Sequence, residues 1–259
     1  MAKYVPHYED FKSLETWRKF ALSLFYMNTL LPILILVIPN TDNYSIFRNI
    51  VIVVTFISLI LYSILDVYIE YFIVPGVEEK RKADFLDNAF GTHILSRNSV
   101  DYYTNDNIGI GIYKAAVNLF ENSLFTFRVS KAMLPKKIIP LVLVLAVVII
   151  LAIFGWKDQP IALPALQLLF STVVAVDFIK YIILHNKSKA IYEGWNNLFR
   201  TTNINEDHVS QIPEIMRYWL IYESMLSRLQ VPLDVPVFQS LNEELSLEWE
   251  EIKSNLHIK

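Results

Sequence analysis

Apolar residues along this chain gather into four blocks, each near the about 20 residues that a helix needs to cross a bilayer. Phe20 to Pro39 is the first, interrupted by Asn28, Thr29 and Pro32, and Pro32 is expected to kink it. Ile46 to Leu65 is the second and is rich in valine and isoleucine. Ile138 to Phe154 is the least polar, and Ile161 to Leu184 carries Gln167, Ser171, Thr172 and Asp177. Short turn-forming connections, Asn40 to Ser45 and Lys157 to Pro160, join the blocks in pairs, so each pair reads as a tight helical hairpin.

Between and after the pairs the pattern changes to amphipathic. Helical spacing continues past the second block through Asp66, Tyr68, Glu70 and Tyr71, until Pro75-Gly76 are expected to break it. Glu78 to Phe90 reads as a short amphipathic helix ending at Gly91, and 92–111 as a loop. Ile112, Ala116, Leu119, Phe120, Leu124 and Phe127 recur at helical spacing, which predicts a helix over 112–133 ended by Pro135. In the tail, 190–199 continues the fourth block, Asn203 to Asp207 is a turn, and a helix runs from Pro213 to Gln230. An extended 231–236 connector then leads to a last helix over 241–256. The expected fold is an all-α membrane protein: four transmembrane helices in two hairpins with a helical cytosolic domain. Its segments are an arm at 1–19, a first hairpin with its extension at 20–74, a central region at 75–137, a second hairpin at 138–184 and a tail at 185–259.

Charge sets the topology. Lysine and arginine concentrate in the arm, the central region and the tail, while the two short turns hold little beyond Arg48 and Lys157. The positive-inside rule puts both termini and the central region in the cytoplasm. The polar N-terminus is no secretory signal, so the first block is expected to stay as a span. A net charge of −3 over 259 residues provides no global basic field for nucleic acid, and the lack of cysteine excludes disulfides, thiolate catalysis and thiolate metal sites.

No arrangement of catalytic type emerges. The five histidines, His7, His93, His185, His208 and His257, are not at metal-ligand spacing, and Gly109-Ile110-Gly111 lacks the third glycine of a dinucleotide loop. No catalytic residue, metal or cofactor is assigned. Polar residues inside the blocks are more informative, because they are expensive in lipid and turn toward water or other helices. Asn28, Thr55, Ser58, Gln167, Ser171 and Thr172 fit a pore lining, with Tyr62 beside them if the first two spans form it; they fit equally as bonds within and between helices. Asp66 and Asp177 sit near the inner ends of spans two and four, where an oligomer would gather them into an acidic, cation-favouring ring. The plainer readings are exposure for Asp66 and a local pair of Asp177 with Lys180. Lys80, Arg81 and Lys82, with Arg97 and Lys114, could hold phosphates while Tyr102 and Tyr103 stack on bases. Alternatively the lysines belong to the positive-inside excess and touch lipid headgroups.

Two stretches carry a resemblance: Ala83-Asp84-Phe85-Leu86-Asp87-Asn88-Ala89-Phe90-Gly91-Thr92 after span two, and Arg228-Leu229-Gln230-Val231-Pro232-Leu233-Asp234-Val235-Pro236 before the last helix. Together with the two-hairpin layout, which covers the whole chain, they resemble the four-transmembrane pore-forming effectors of bacterial anti-phage defence that sit beside a nucleotidyltransferase, in cyclic-oligonucleotide and Hailong-type systems. The resemblance implies a multi-pass protein of the bacterial inner membrane that assembles as a homo-oligomer, expected as a tetramer. It implies control by a nucleotide or oligonucleotide from the partner nucleotidyltransferase, single-stranded DNA among the candidates, and depolarisation followed by growth arrest. A non-channel membrane scaffold or sensor, whose cytosolic helices bind a protein partner, is the alternative.

Overall fold

The computed structural model describes residues 8–39, 41–97, 99, 103, 105, 107–154, 175–202, 204, 211–231 and 234–258. Among these residues every regular element is helical: α1 Tyr8–Val37, α2 Asp42–Tyr68, a π-helical turn Ile69–Ile73, α3 Val74–Phe90, α4 Ile112–Phe154, α5 Asp177–Thr201, α6 Ile212–Leu229 and α7 Val235–Asn255. The chain divides into two compact units, a hairpin unit built on Asp10–Pro75 and Pro135–Ile179 and a core unit built on Gly76–Leu134 and Lys180–Lys259.

In the hairpin unit, α1 and α2 run antiparallel. The Phe25 and Tyr62 rings lie 6.0 Å apart and Arg18 pairs with Glu70 at 3.8 Å. From Arg48 to Ile69, α2 withdraws from the surface only Arg48, Val51, Thr55, Ser58, Tyr62, Leu65 and Ile69, and exposes every residue between them. Steps of three and four are the seam of a two-helix coiled coil. The residues left outside are mostly apolar: Ile46 is 76% exposed, and Phe47, Ile50, Phe56, Ile57, Ile60 and Ile64 follow it. Along α4, Ile139, Val142, Leu143, Ile149 and Ile153 are exposed in the same way. Among the described residues two helices, Asp42–Phe90 and Ile112–Ile150, are long and apolar enough to cross a membrane, and nearly all of their apolar stretches face outward. The expected first span lies within α1, where Phe20, Leu30 and Leu34 are exposed. Most of the expected fourth span, with Gln167, Ser171 and Thr172, lies outside the described residues.

Two expected breaks are absent. Pro75-Gly76 does not end a helix: Asp42–Phe90 is continuous. The π turn just upstream is the reason. There Val74 N–H donates to Ile69 O, five residues back, so the backbone is already widened where Pro75 lacks a donor and crowds the preceding turn. Pro135 does not end α4 either, which carries both Pro135 and Pro140 inside it. Prolines persist in apolar helices because the medium offers the rest of the backbone no other partners. Pro32 likewise lies within α1, and the helix starts at Tyr8, well before the first apolar block.

The core unit encloses a conventional interior. Leu119, Phe120 and Leu124 of α4 pack with Trp195 of α5, Ile215 of α6 and Trp249 of α7. Phe120 meets the edge of Trp249 at 5.2 Å and stacks on Phe199 at 5.5 Å. Helix ends follow their local chemistry. Asp234 caps α7 through its carboxylate, 2.9 Å from Val237 N, and starts that helix six residues earlier than its apolar pattern suggests. Gln230 closes α6 in the left-handed region at φ 49°. Gly91 ends α3 as expected, with φ +66°, and its N–H donates to Asp87 O. The loop that follows returns to its start, since Gly111 N–H donates to Ala89 O at 2.8 Å.

Gly91→Ala should therefore cost about 1–2 kcal/mol, the penalty for a side chain in the left-handed region. A Cβ there would also sit 3.1 Å from Ile110 Cδ1. Thermal melting of the purified full chain in detergent measures the loss, and an unchanged midpoint would contradict this account of the helix end.

Candidate functional site

The polar chemistry of the core unit centres on α3 and the loop it starts. Asp84, Asp87 and Asn88 share one face of α3, at spacings of three and four, beside buried Phe85 and Ala89. Asp87 is buried, and its carboxylate accepts from Ile94 N at 2.8 Å, Leu95 N at 2.8 Å and Thr92 Oγ1 at 2.7 Å. Burial acts to raise its pKa, but the two amides and the hydroxyl outweigh burial and hold the carboxyl below its usual range. Asp84 accepts from Ser99 N at 3.1 Å, and burial prevails there, raising the pKa against the Ser99 contacts, with the Asp87 charge adding to the rise. The two carboxylates thus fasten the loop to the helix.

A second group of buried polar side chains fastens the far end of the same loop. Asn105 Nδ2 donates to Asn118 Oδ1 at 2.9 Å and to Glu121 Oε2 at 2.7 Å, while Asn105 Oδ1 accepts from Trp249 Nε1 at 3.2 Å. Asn118 Nδ2 donates in turn to Asn88 Oδ1 at 2.8 Å. The Asn105 amide joins the loop to α4 and α7, and the Asn118 amide carries the link on to α3. These groups satisfy one another, which makes the network a fastening.

The expected ligand residues fare differently from one another. Arg81 is taken up by carboxylates: Nε and Nη2 reach Glu78 Oε2 at 3.0 and 2.9 Å, and Nη1 and Nη2 reach Glu223 of α6 at 3.2 and 2.6 Å. Burial acts to lower the guanidinium's pKa, but Glu223 and Glu78 outweigh it and raise the pKa above its ordinary value. This corrects the reading of Arg81 as an open phosphate contact, because its donors already face two anions. Lys82 Nζ donates to Ser227 Oγ at 3.2 Å, also on α6. Lys80 and Arg97 are exposed, and Lys114 is 7% exposed on α4. Tyr103 is buried, with its Oη accepting from Asn122 Nδ2 at 3.3 Å, so its ring has no free face for a base, which corrects its stacking role. Tyr102 lies outside the described residues.

Of the residues proposed to line a pore, Ser58 and Tyr62 belong to the seam between α1 and α2, and Asn28 lies on the matching side of α1. Asp66 is exposed on the outer side of α2. Asp177 is paired, but with Lys137 of α4 at 2.9 Å. Ser171 lies outside the described residues. Sequence reasoning gave no role to Asp84, Asp87, Asn88, Asn105, Asn118 or Glu121. A signal was present: the Asp84/Asp87/Asn88 and Asn118/Glu121 spacings each set polar groups into an otherwise apolar helical stripe. Among the described residues no group of three or more histidine or carboxylate side chains is arranged to hold a metal ion. No family model, no curated protein and no solved structure matches the chain.

Two stability measurements check this electrostatic picture. Glu223→Ala leaves Arg81 half-partnered and should cost about 2 kcal/mol, typical of a hydrogen bond to a charged group. Retained stability would show the pair to be incidental. For Asp87 the folded pKa is depressed, so its stabilisation is full above the unfolded carboxylate pKa and disappears as pH falls through the folded value. The stability gap between the natural chain and Asp87→Asn, followed by denaturant titration, should therefore close as the pH is lowered below ~4. Asp84, whose pKa is raised, has the opposite sign: it favours folding below the unfolded pKa, and that contribution is lost as pH rises through the folded one.

Proposed function

We propose that this chain is a membrane-embedded pore effector whose core unit takes up a nucleotide or oligonucleotide signal, in the manner of the anti-phage effectors it resembles. The observation that carries the proposal is the single helix Asp42–Phe90. Its first half shows apolar side chains to the outside at nearly every position, and its last turns hold Asp84, Asp87 and Arg81 in a polar unit. A lipid-facing stretch and a stretch anchored in the core unit thus belong to one helix. The proposal has four spans in the bacterial inner membrane, both termini in the cytoplasm, and a homo-oligomer, a tetramer, around the pore. A partner nucleotidyltransferase makes the signal, and opening depolarises the membrane and arrests growth.

The proposal also sorts the residues. With Arg81 engaged by Glu223 and Lys114 buried, phosphate contacts fall to Lys80, Lys82 and Arg97. Asp66, on the outer side of α2, needs only neighbouring copies to form a ring, whereas Asn28, Ser58 and Tyr62 reach a lumen only if α1 and α2 part. A second reading, a scaffold or sensor that binds a protein, is favoured by the exposed Ile212, Met216 and Leu220, which follow one another at four-residue steps along α6.

Planar-bilayer recording separates the two. The purified chain should give discrete conductance steps, changed by extract from cells expressing the neighbouring nucleotidyltransferase; a silent bilayer under both conditions favours the scaffold. Lys80→Ala with Lys82→Ala should keep the fold, weaken that response and flatten its salt dependence by roughly one unit of slope per lost phosphate contact. Reporter tags after Asn43 and Asp158 should read periplasm and tags at both ends cytoplasm; a cytoplasmic report at position 43 would overturn the hairpin topology.

A further inference from the structure

The seam between α1 and α2 contains one layer that its own side chains leave incomplete. Ser58 is 1% exposed, and its hydroxyl has no hydrogen-bond partner among the described residues. Neither Nδ2 nor Oδ1 of Asn28 has one, although both atoms are enclosed. The two residues are level with each other. Asn28 lies three residues after Phe25 and Ser58 four before Tyr62, and those two rings touch across the antiparallel pair.

Their neighbours behave differently. Thr16, Ser23 and Thr29 of α1, and Thr55 and Ser63 of α2, each donate to the carbonyl four residues back, at 2.7–3.1 Å. Ser58 does not turn its hydroxyl to its own backbone, and Asn28 cannot satisfy both ends of an amide in that way. An amide donor, an amide acceptor and a hydroxyl therefore meet between two helices whose outer faces are apolar, and each left alone costs about 1–3 kcal/mol. Polar and enclosed, the place offers the hydrogen-bonding partners that an internal water needs.

We propose that Asn28 and Ser58 bind a water molecule between α1 and α2, and that this hydrated layer is the hydrogen-bonded tie of the hairpin. One water accepts from Asn28 Nδ2 and donates to Asn28 Oδ1 and Ser58 Oγ, so a single guest satisfies groups that do not bond each other. Substrate-sized ligands and ions are not called for: two neutral side chains present neither charge nor enough oxygens for a cation. The layer also fixes register, as a lone polar residue in a coiled-coil seam does, because sliding by one heptad would set Asn28 against Val51 or Leu65 of α2. The inference stands on the seam geometry alone and does not require the chain to form a pore.

The test uses the full chain in lipid bilayers and detergent. Water-to-protein polarisation transfer in solid-state NMR, read at the side-chain amide of Asn28 in asparagine-labelled protein, should show transfer from water that is strongly reduced in Ser58→Ala. In detergent, the melting-temperature changes of Asn28→Leu, Ser58→Ala and the double variant should depart from additivity by about 2 °C or more, as residues sharing one partner do. Non-additive melting without water transfer means a direct Asn28–Ser58 bond and overturns the water site. Water transfer with additive melting means that Asn28 alone is hydrated and overturns the shared site. Neither signal overturns both. A change in bilayer conductance is not among the readouts, so failure of the pore reading leaves the result untouched.

Discussion

An α-helix that gives only one residue in three or four to its partner, and shows apolar side chains nearly everywhere else, has no stable solution in water. That constraint governs the hairpin unit. The seam from Arg48 to Ile69 is narrow, and α1 covers only the seam. The exposed Ile46, Phe56 and Ile64 must meet something apolar, and a helix is the one element whose backbone needs nothing from that medium. The retention of Pro135 and Pro140 inside α4 fits the same constraint, because a helix in an apolar medium is costly to interrupt.

The core unit obeys the opposite rule. Its apolar residues turn inward around Phe120, Trp195 and Trp249, and its difficulty is the irregular chain between Gly91 and Gly111. Backbone that is neither helix nor strand needs partners of its own. Two carboxylates on α3 accept its early amides, and Asn105 carries its later part into a network with Asn118, Glu121 and Trp249. The most recognisable stretch of the chain, Ala83 to Thr92, thus gains a physical reason for its composition: it is the segment that fastens a loop.

What could be read in advance divides along these lines. Periodicity revealed the all-helical character, the outward apolar stretches of α2 and α4, the end of α3 at Gly91 and the helix over Ile212–Leu229, because each rests on spacing or on one local residue. Pro75 misled because its effect depends on the π turn before it, which five residues of unremarkable composition do not announce. Arg81 and Tyr103 were read as open because a sequence shows charge and aromaticity but not partners: Glu223 lies far along the chain, and burial of Tyr103 depends on the folded loop. Asp84 and Asp87 had no role to be read from their spacing alone, because nothing local says that a chain returns over them.

The fastening by Asp87 and Asp84 has a consequence in time as well as in space. Amides of irregular segments usually exchange their protons with solvent within seconds, since opening them takes little free energy. Ile94, Leu95 and Ser99 donate to buried carboxyl oxygens and can release them only when the carboxyl groups are exposed too. Their exchange is then tied to the opening of α3. In a deuterium-uptake map of this chain, part of a stretch with no regular secondary structure carries the slow kinetics of the helix it leans on.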